Sequence, residues 1–214
     1  MNKIIVFSVY NVVLLTLILL ATEGLSAQAI DFKIESWEKR INERQPPVLV
    51  LDKAGFKKGM TVGEIGAGTG RMTLWIADRI GPEGIIYAND IDADGLEHLM
   101  ERATEAGFKN IRTIVGSVTE PKFPEGIMDI VFMINVFHHL DDPVSLLKNT
   151  KSVFKPGGYL VIVDCDPEKV AWGKSHGCTG KKEMREKLIL AGYKLIETID
   201  VLSEDGIYIA EPVR

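Results

Sequence analysis

Strand-like and helix-like segments alternate along most of this chain, and this alternation limits the possible folds more than any other feature. The strand-like runs are apolar almost throughout, which is typical of parallel strands covered on both faces. The sequence therefore predicts an α/β protein with a doubly wound, mostly parallel sheet. Predicted strands cover 61–65, 84–89, 111–115, 127–136 and 159–164, predicted helices cover 69–80, 92–106, 142–154 and 181–191, and 193–201 and 206–211 form a closing pair of strands.

The stretch "TVGEIGAGTG", residues 61–70, stands where the first predicted strand meets the first predicted helix. In doubly wound sheets the ligand binds at the carboxyl ends of the strands, near the point where the strand order reverses. Glycine permits positive φ and a close approach of ligand to backbone, and the following helix offers free N–H groups. We interpret the stretch as a ligand-binding loop; the alternative is a tight turn that needs glycine only for its geometry.

The residues around this loop favour one class of ligand. A dinucleotide fingerprint places glycine or alanine three positions after its second glycine, and here that position after Gly68 is Arg71. A pyrophosphate ligand is therefore disfavoured, whereas the acid Glu64 suits a ligand that carries positive charge. Twenty positions beyond Gly70, Asp90 ends the second strand, where a carboxylate accepts ribose hydroxyls. The alternative for Asp90 is that it only caps a turn.

Four segments, in this order and spacing, resemble the class I S-adenosylmethionine-dependent methyltransferases: "VGEIGAGTG", "IYANDID", "MDIVFMINVFHHLDDP" and "FKPGGYLVIVD". The similarity covers roughly residues 35–211. It implies S-adenosylmethionine as the cofactor and a seven-stranded sheet whose last strand runs antiparallel. It also implies that the loop residues Glu64, Gly66, Ala67, Gly68 and Gly70 lie under the methionine part of the cofactor.

The same resemblance implies roles for four residues beyond the loop. Asp90 matches the acid that binds the ribose, Ile91 the apolar residue beside the adenine, and Asn135 a position lining the methyl-donor pocket. Many relatives carry Gly-Asp after the third strand, where this chain has Gly116-Ser117. A serine hydroxyl accepts the adenine hydrogen bond without charge, so we expect weaker cofactor binding, by on the order of 1 kcal/mol.

Methyl transfer needs mainly alignment of the acceptor with the methyl group, and a base only when the acceptor is poorly ionised. Candidate catalytic bases at the pocket rim are His139, His138 and His176, in that order, together with Asp164. Each histidine has a structural alternative, since His138 and His139 open a strand-to-helix turn and are expected to point apart. We expect His176 to depend on closure of its glycine-rich loop.

The acceptor is predicted to be a small or lipid-like molecule, because the chain shows no additional substrate domain. The net charge of −5 and the lack of a basic cluster argue against nucleic acid. Two alternatives to an active methyltransferase stay open: a related binding protein without catalysis, and a nicotinamide-dependent oxidoreductase. No metal site is predicted, and nothing in the sequence indicates an oligomeric state.

The first 29 residues form a separate segment. Lys3 precedes an apolar run of about 18 residues, and Ala27-Gln28-Ala29 follows, which is the pattern of a secretory signal or of a membrane anchor. The domain is therefore expected to be exported (periplasmic or extracellular) or held at a membrane. We divide the chain into this segment, a helical leader over residues 30–58, and a methyltransferase domain over residues 59–214. Cys165 and Cys178 either pair or remain as two thiols.

Overall fold

A computed structural model describes residues 32–171 and 176–213. The predicted signal or anchor segment lies outside these residues, so its prediction stays an expectation. None of the helices within the two described stretches is long and apolar enough to cross a membrane.

Helices and strands alternate in the order that the sequence predicts. The strands are β1 Thr61–Ile65, β2 Ile85–Asp90, β3 Ile111–Val115, β4 Met128–Ile134, β5 Phe154–Cys165, β6 Tyr193–Ile199 and β7 Asp205–Pro212. The helices are α1 Ser36–Arg44, α2 Pro47–Lys53, α3 Arg71–Ile80, α4 Ala93–Glu105, α5 Pro143–Asn149 and α6 Lys181–Leu190, with short 3₁₀ turns at Phe137–His139 and Lys151–Val153.

One seven-stranded sheet has the order β3-β2-β1-β4-β5-β7-β6. The first five strands run parallel, and β7 is antiparallel to both of its neighbours, β5 and β6. The predicted fold class, including the antiparallel last strand, is confirmed. The strand order reverses between β1 and β4, so the loops after these two strands separate there and leave a crevice at the carboxyl edge.

Two hydrophobic clusters cover the two faces of the sheet, and β4 contributes to both. Ile130, Phe132 and Ile134 belong to one cluster, while Val131 and Met133 belong to the other. Successive side chains of a strand point to opposite faces, which is why a central strand must be apolar throughout. The continuous apolar run in "IMDIVFMINV" is explained by this double burial.

The segment between α5 and β5 differs from the prediction of one helix that is ended by Pro156-Gly157-Gly158. The helix α5 stops at Asn149, and β5 already begins at Phe154, ahead of the glycines. Met128 of β4 pairs with Phe154, but Ile130 pairs with Tyr159, so β5 bulges between these pairs. A Cβ at Gly158 would lie 2.4 Å from the Met128 carbonyl oxygen, so this close approach needs glycine.

The predicted helical leader forms the two helices α1 and α2, which are separated at Gln45 and Pro46. Pro47 occupies the first turn of α2, where the missing N–H costs no hydrogen bond. Val50 and Leu51 of α2 are buried in the same cluster as residues of β1, β2 and β4. The leader and the sheet therefore share one core.

Candidate functional site

The glycine loop between β1 and α3 has positive φ at Gly66, Gly68 and Gly70, with values of 75°, 52° and 92°. Two of these glycines are required by packing, because a Cβ at Gly66 would lie 2.3 Å from Val136 and one at Gly70 would lie 2.7 Å from Leu99. At Gly68 a Cβ would meet nothing within 4 Å. Gly68 therefore exposes its backbone to open space, as a ligand-binding loop requires.

Two backbone contacts fix the start of this loop against β2. The N–H groups of Gly66 and Ala67 both donate to the Asn89 carbonyl oxygen, at 2.8 and 2.9 Å. One residue later, the Asp90 carboxylate accepts from the Gly68 N–H at 2.7 Å and from the Asp92 N–H at 3.0 Å. The acid at the end of β2 is thereby placed directly beside the central glycine.

The surroundings of Asp90 suit the predicted ribose and adenine contacts. A carboxylate has about four lone-pair sites, and the two backbone bonds leave acceptor capacity for hydroxyl groups. Ile91 follows with 64% of its surface exposed, so its apolar side chain is accessible at this edge. The Asp92 side chain caps α4 by accepting from the Asp94 N–H at 3.1 Å, while the bond from the Asp92 N–H to Asp90 caps the turn before this helix.

Glu64 is buried in β1, with only 1% of its surface exposed. Its carboxyl group accepts a hydrogen bond from the Thr73 hydroxyl at 2.6 Å. Burial raises the pKa of Glu64 to about 8, against smaller lowering effects of the Thr73 bond and of Arg71. The sequence suggested a charged acid here, but burial favours the neutral form of this carboxyl group.

Arg71 opens α3 and is buried, yet its side chain runs toward α1. It donates to the Asn42 side-chain oxygen at 3.1 Å and to the Gln45 side-chain oxygen at 3.0 Å. Burial lowers the pKa of Arg71 to about 10, and the nearby Glu64 opposes this shift. Arg71 therefore links the glycine loop to the N-terminal helix, a role that the sequence did not indicate.

Asn135 follows β4 and has a φ of 57°, which is uncommon for a residue other than glycine. Its side-chain amide pairs with the amide of Gln45 through two hydrogen bonds of 2.7 and 2.9 Å. Gln45 is fully buried and was missed by the sequence reasoning. No local signal identifies Gln45, because its partner lies 90 positions away along the chain.

Ser117 lies in an exposed turn after β3, the neighbour of β2. Its N–H donates to the Glu120 carbonyl oxygen at 2.9 Å, and the Glu120 N–H donates back at 3.3 Å. This turn places Ser117 on the same carboxyl edge as Asp90. Its contact with the adenine stays a prediction.

The two adjacent histidines lie together in the 3₁₀ turn Phe137–His139 that follows β4. The expectation that their rings point apart is wrong, because the ring centroids are 3.9 Å apart. The ring Nδ1 of His138 lies 2.5 Å from Oδ1 of Asp164, which is fully buried at the end of β5. His139 is more exposed, and partial desolvation followed by repulsion from His138 lowers its pKa.

Cys165 and Cys178 form a disulfide, which decides the alternative that the sequence left open. The bridge ties the exposed His176 to the end of β5, next to Asp164. Trp172, which the sequence leaves as either an acceptor-pocket residue or a cover of the sheet, lies outside the described residues. His138, Asp164 and Cys165 offer ligand atoms within 4.8 Å of one another, the one such group in the described stretches. The disulfide leaves Cys165 no thiolate for a metal ion, so we treat this group as a hydrogen-bonded pair.

Comparison with known proteins identifies the family of the chain. The family described as "Methyltransferase domain" matches residues 56–204. The chain belongs to this family. A SAM-dependent methyltransferase from Aquifex aeolicus has a structure similar to that of this methyltransferase domain, with a TM-score of 0.74 and 27% identity over 83% of this chain and 98% of that one.

Curated relatives of this methyltransferase domain include demethylmenaquinone methyltransferases. The protein from Listeria monocytogenes serotype 4a is 32% identical over 108 residues, which are 50% of this chain and 46% of the relative. The chain thus spans about half the length of the curated relatives it matches.

The cyclase SpnF shares the fold at a TM-score of 0.69, with 15% identity over 80% of this chain and 82% of that one. Because a cyclase shares it, the fold alone does not determine the reaction.

The cofactor of this methyltransferase domain is S-adenosylmethionine, and the residues at the carboxyl edge fit it. The open space above Gly68, the acceptor capacity of Asp90 and the exposed apolar side chain of Ile91 provide the three features that a nucleoside attached to an amino acid needs. The roles of the individual residues stay predictions.

Proposed function

We propose that this protein transfers the methyl group of S-adenosylmethionine to a small or lipid-like acceptor. The observation that carries the proposal is the bond between the Gly68 N–H and the Asp90 carboxylate beside open space. This arrangement holds an acid for a ribose next to a backbone that a ligand can approach. The bound cofactor supplies an electrophilic methyl group, so the chain has to hold an acceptor in line with it.

The residues at the ends of β4 and β5 are our candidates for contact with the acceptor. Asn135 and His138 follow β4, which adjoins β1 across the point of strand-order reversal. His176 belongs to the loop that the disulfide attaches to β5. We propose that one of the histidines His138, His139 and His176 acts as base where the acceptor requires one.

The proposed acceptor class rests on the curated relatives. Their names specify demethylmenaquinone, a small molecule, and they match half of this chain. A protein of net charge −5 is poorly suited to nucleic acid. We therefore propose an acceptor that is small and apolar enough to reside in or near a membrane.

We also propose that the N-terminal segment directs the chain to a membrane, either as a cleaved signal or as an anchor. The support is the sequence of residues 1–29, with Lys3, the apolar run and the Ala27-Gln28-Ala29 pattern. Mass spectrometry of natively expressed protein should find a mature N-terminus near residues 27–30 or an intact chain in the membrane fraction. An uncleaved chain in the soluble fraction would contradict both forms of the proposal.

The second candidate is a protein that binds the cofactor without catalysing methyl transfer. Ser117 favours it, because the position lacks the charged acid of many relatives, and so does the predicted export from the compartment where the cofactor is made. The predicted nicotinamide alternative loses its support, because the family of the chain is a methyltransferase family.

Calorimetry with S-adenosylmethionine, its demethylated product and NAD tests the proposed site. Replacing Gly68 by valine fills the open space, so Gly68→Val is expected to abolish binding of the first two ligands. Gly107→Val is the matched control, because Gly107 also has positive φ (81°) and open space around its Cβ position. It follows the far end of α4, about 20 Å from Asp92. Equal losses in both variants, or unchanged affinity in Gly68→Val, would refute the site assignment.

A further inference from the structure

We infer that His138, oriented by Asp164, is the base that accepts the proton of the methyl acceptor, and that this acceptor is a weakly acidic hydroxyl compound such as a phenol, hydroquinone or enol. Asp164 is a positioning residue, and His138 is the catalytic residue. The inference rests on the proposed methyl transfer and adds the substrate class and the residue that takes the proton.

The pair lies next to the cofactor loop. His138 follows β4 and Asp164 lies near the end of β5, and these two strands are parallel neighbours. Val136, two residues before His138, packs closely on Gly66: a Cβ at Gly66 would lie 2.3 Å from the Val136 side chain. The turn that carries His138 thus contacts the loop under the methionine part of the cofactor directly.

One buried carboxylate holds both the backbone and the ring of His138. Asp164 accepts from the His138 N–H through Oδ2 at 3.0 Å, and its Oδ1 lies 2.5 Å from the ring Nδ1. The same Oδ1 also accepts from the Cys165 N–H at 2.8 Å. Because Asp164 has no exposed surface, these protein groups are its hydrogen-bond partners, and the His138 ring has little freedom to turn.

This geometry determines which ring nitrogen is available for chemistry. A carboxylate accepts hydrogen bonds, so in the neutral ring Nδ1 of His138 carries the hydrogen toward Asp164, and the lone pair is on Nε2. The His138 side chain is 11% exposed, so it is largely desolvated and still reachable. A nitrogen with a fixed direction and a free lone pair is what a general base requires.

The other titratable groups around His138 have different surroundings. His139 stacks on His138 from the same turn, and Lys187 of α6 lies 5.5 Å from the ring centroid of Phe137, beside them. The loop before Cys178 brings Gly177, next to His176, close to the His138 carbonyl oxygen. Asp205, at the start of β7, interacts electrostatically with Asp164. Among these groups, His138 is the histidine whose ring is bonded to a fully buried carboxylate.

The presence of an oriented base indicates the chemistry of the acceptor. A thiolate or a neutral amine already offers a lone pair to the methyl group, whereas a hydroxyl group with a pKa above neutrality must lose its proton as it reacts. His138 Nε2 takes this proton while the oxygen–methyl bond forms and the carbon–sulfur bond of the donor breaks. The proton then leaves the imidazolium to water, so the base is restored.

Nuclear magnetic resonance tests the ring assignment without an acceptor. The full-length protein with nitrogen-15-labelled histidine and bound S-adenosylhomocysteine is expected to show His138 with its hydrogen on Nδ1. In Asp164→Asn the His138 signals should shift toward the other tautomer, whereas Asp166→Asn, which changes another fully buried aspartate nearby, should leave them in place. A hydrogen on Nε2 in the unchanged protein would overturn the inference.

Methylation of a panel of phenols and hydroquinones with graded acidity tests the base. His138→Ala and Asp164→Asn are expected to lower turnover of weakly acidic members by about a hundredfold or more, and of pre-ionised members much less. The loss should also remove the acidic limb of the pH–rate profile. The inference is overturned if His139→Ala produces this pattern instead. It is also overturned if the protein binds S-adenosylmethionine but methylates only a thiol or amine probe, or no probe at all. Failure to bind S-adenosylmethionine at all would instead refute the proposed function.

Discussion

Replacing Glu64 by glutamine is expected to change the pH dependence of stability in a predictable direction. The pKa of Glu64 rises from 4.5 to about 8 on folding. Between these values the folded protein holds a proton that the unfolded chain has released, so the free energy of unfolding falls as the pH rises. Linkage gives a slope of about 1.4 kcal/mol per pH unit and a total on the order of 5 kcal/mol.

Urea unfolding of the two proteins at several pH values measures this effect. The other titratable groups are the same in the wild-type protein and in Glu64→Gln. Subtracting the wild-type free energy of unfolding from that of Glu64→Gln therefore isolates the effect of Glu64. It should grow by about 2–3 kcal/mol from pH ~6 to pH ~8. Thr73→Val removes the hydrogen bond that lowers this pKa, so the pH range of the change should move upward. A difference that stays constant over this range would refute the reasoning.

Two further predictions concern cofactor binding and the disulfide. Asp90→Ala should weaken S-adenosylmethionine binding by about 1.5–3 kcal/mol, since it removes an acceptor for the ribose hydroxyls and frees the Gly68 N–H; unchanged affinity in calorimetry would exclude Asp90 from the site. Reduction of the Cys165–Cys178 bridge, which closes a loop with a sequence separation of 13, should lower the free energy of unfolding by about 3 kcal/mol. Urea midpoints with and without a reductant test this, and Cys178→Ser, which lacks the bridge, should not respond.

Most of the fold follows from local patterns. Continuous apolar runs identified the strands, and the N-cap Asp92 directly precedes the helix α4 that it starts, so both signals are local in sequence. The prediction failed between residues 150 and 158, where the local signals for a helix end were sound. There the pairing of β4 with Phe154 extended β5 across Pro156 and the glycines. Pairing with a strand some 25 positions earlier outweighed the local preference.

Some features of the candidate site could likewise be predicted from local sequence, and others could not. The sequence placed the glycines and Asp90 together at the carboxyl edge, since a strand, a tight loop and a helix N-terminus need those residue types at that spacing, and their contact with the cofactor stays a prediction. The roles of Gln45 and Asp164 were not identified, because Gln45 acts on Asn135 and Arg71, and Asp164 acts on His138, across 26 to 90 positions.

The sequence by itself determined the alternation of strands and helices, the loop at the carboxyl edge and the class of ligand it holds. Only the tertiary structure decided that burial raises the pKa of Glu64, that Cys165 and Cys178 pair, and that His138 rather than His139 is held by a carboxylate. Burial and the meeting of distant side chains set these properties, and both come into existence only when the sheet and its covering helices assemble.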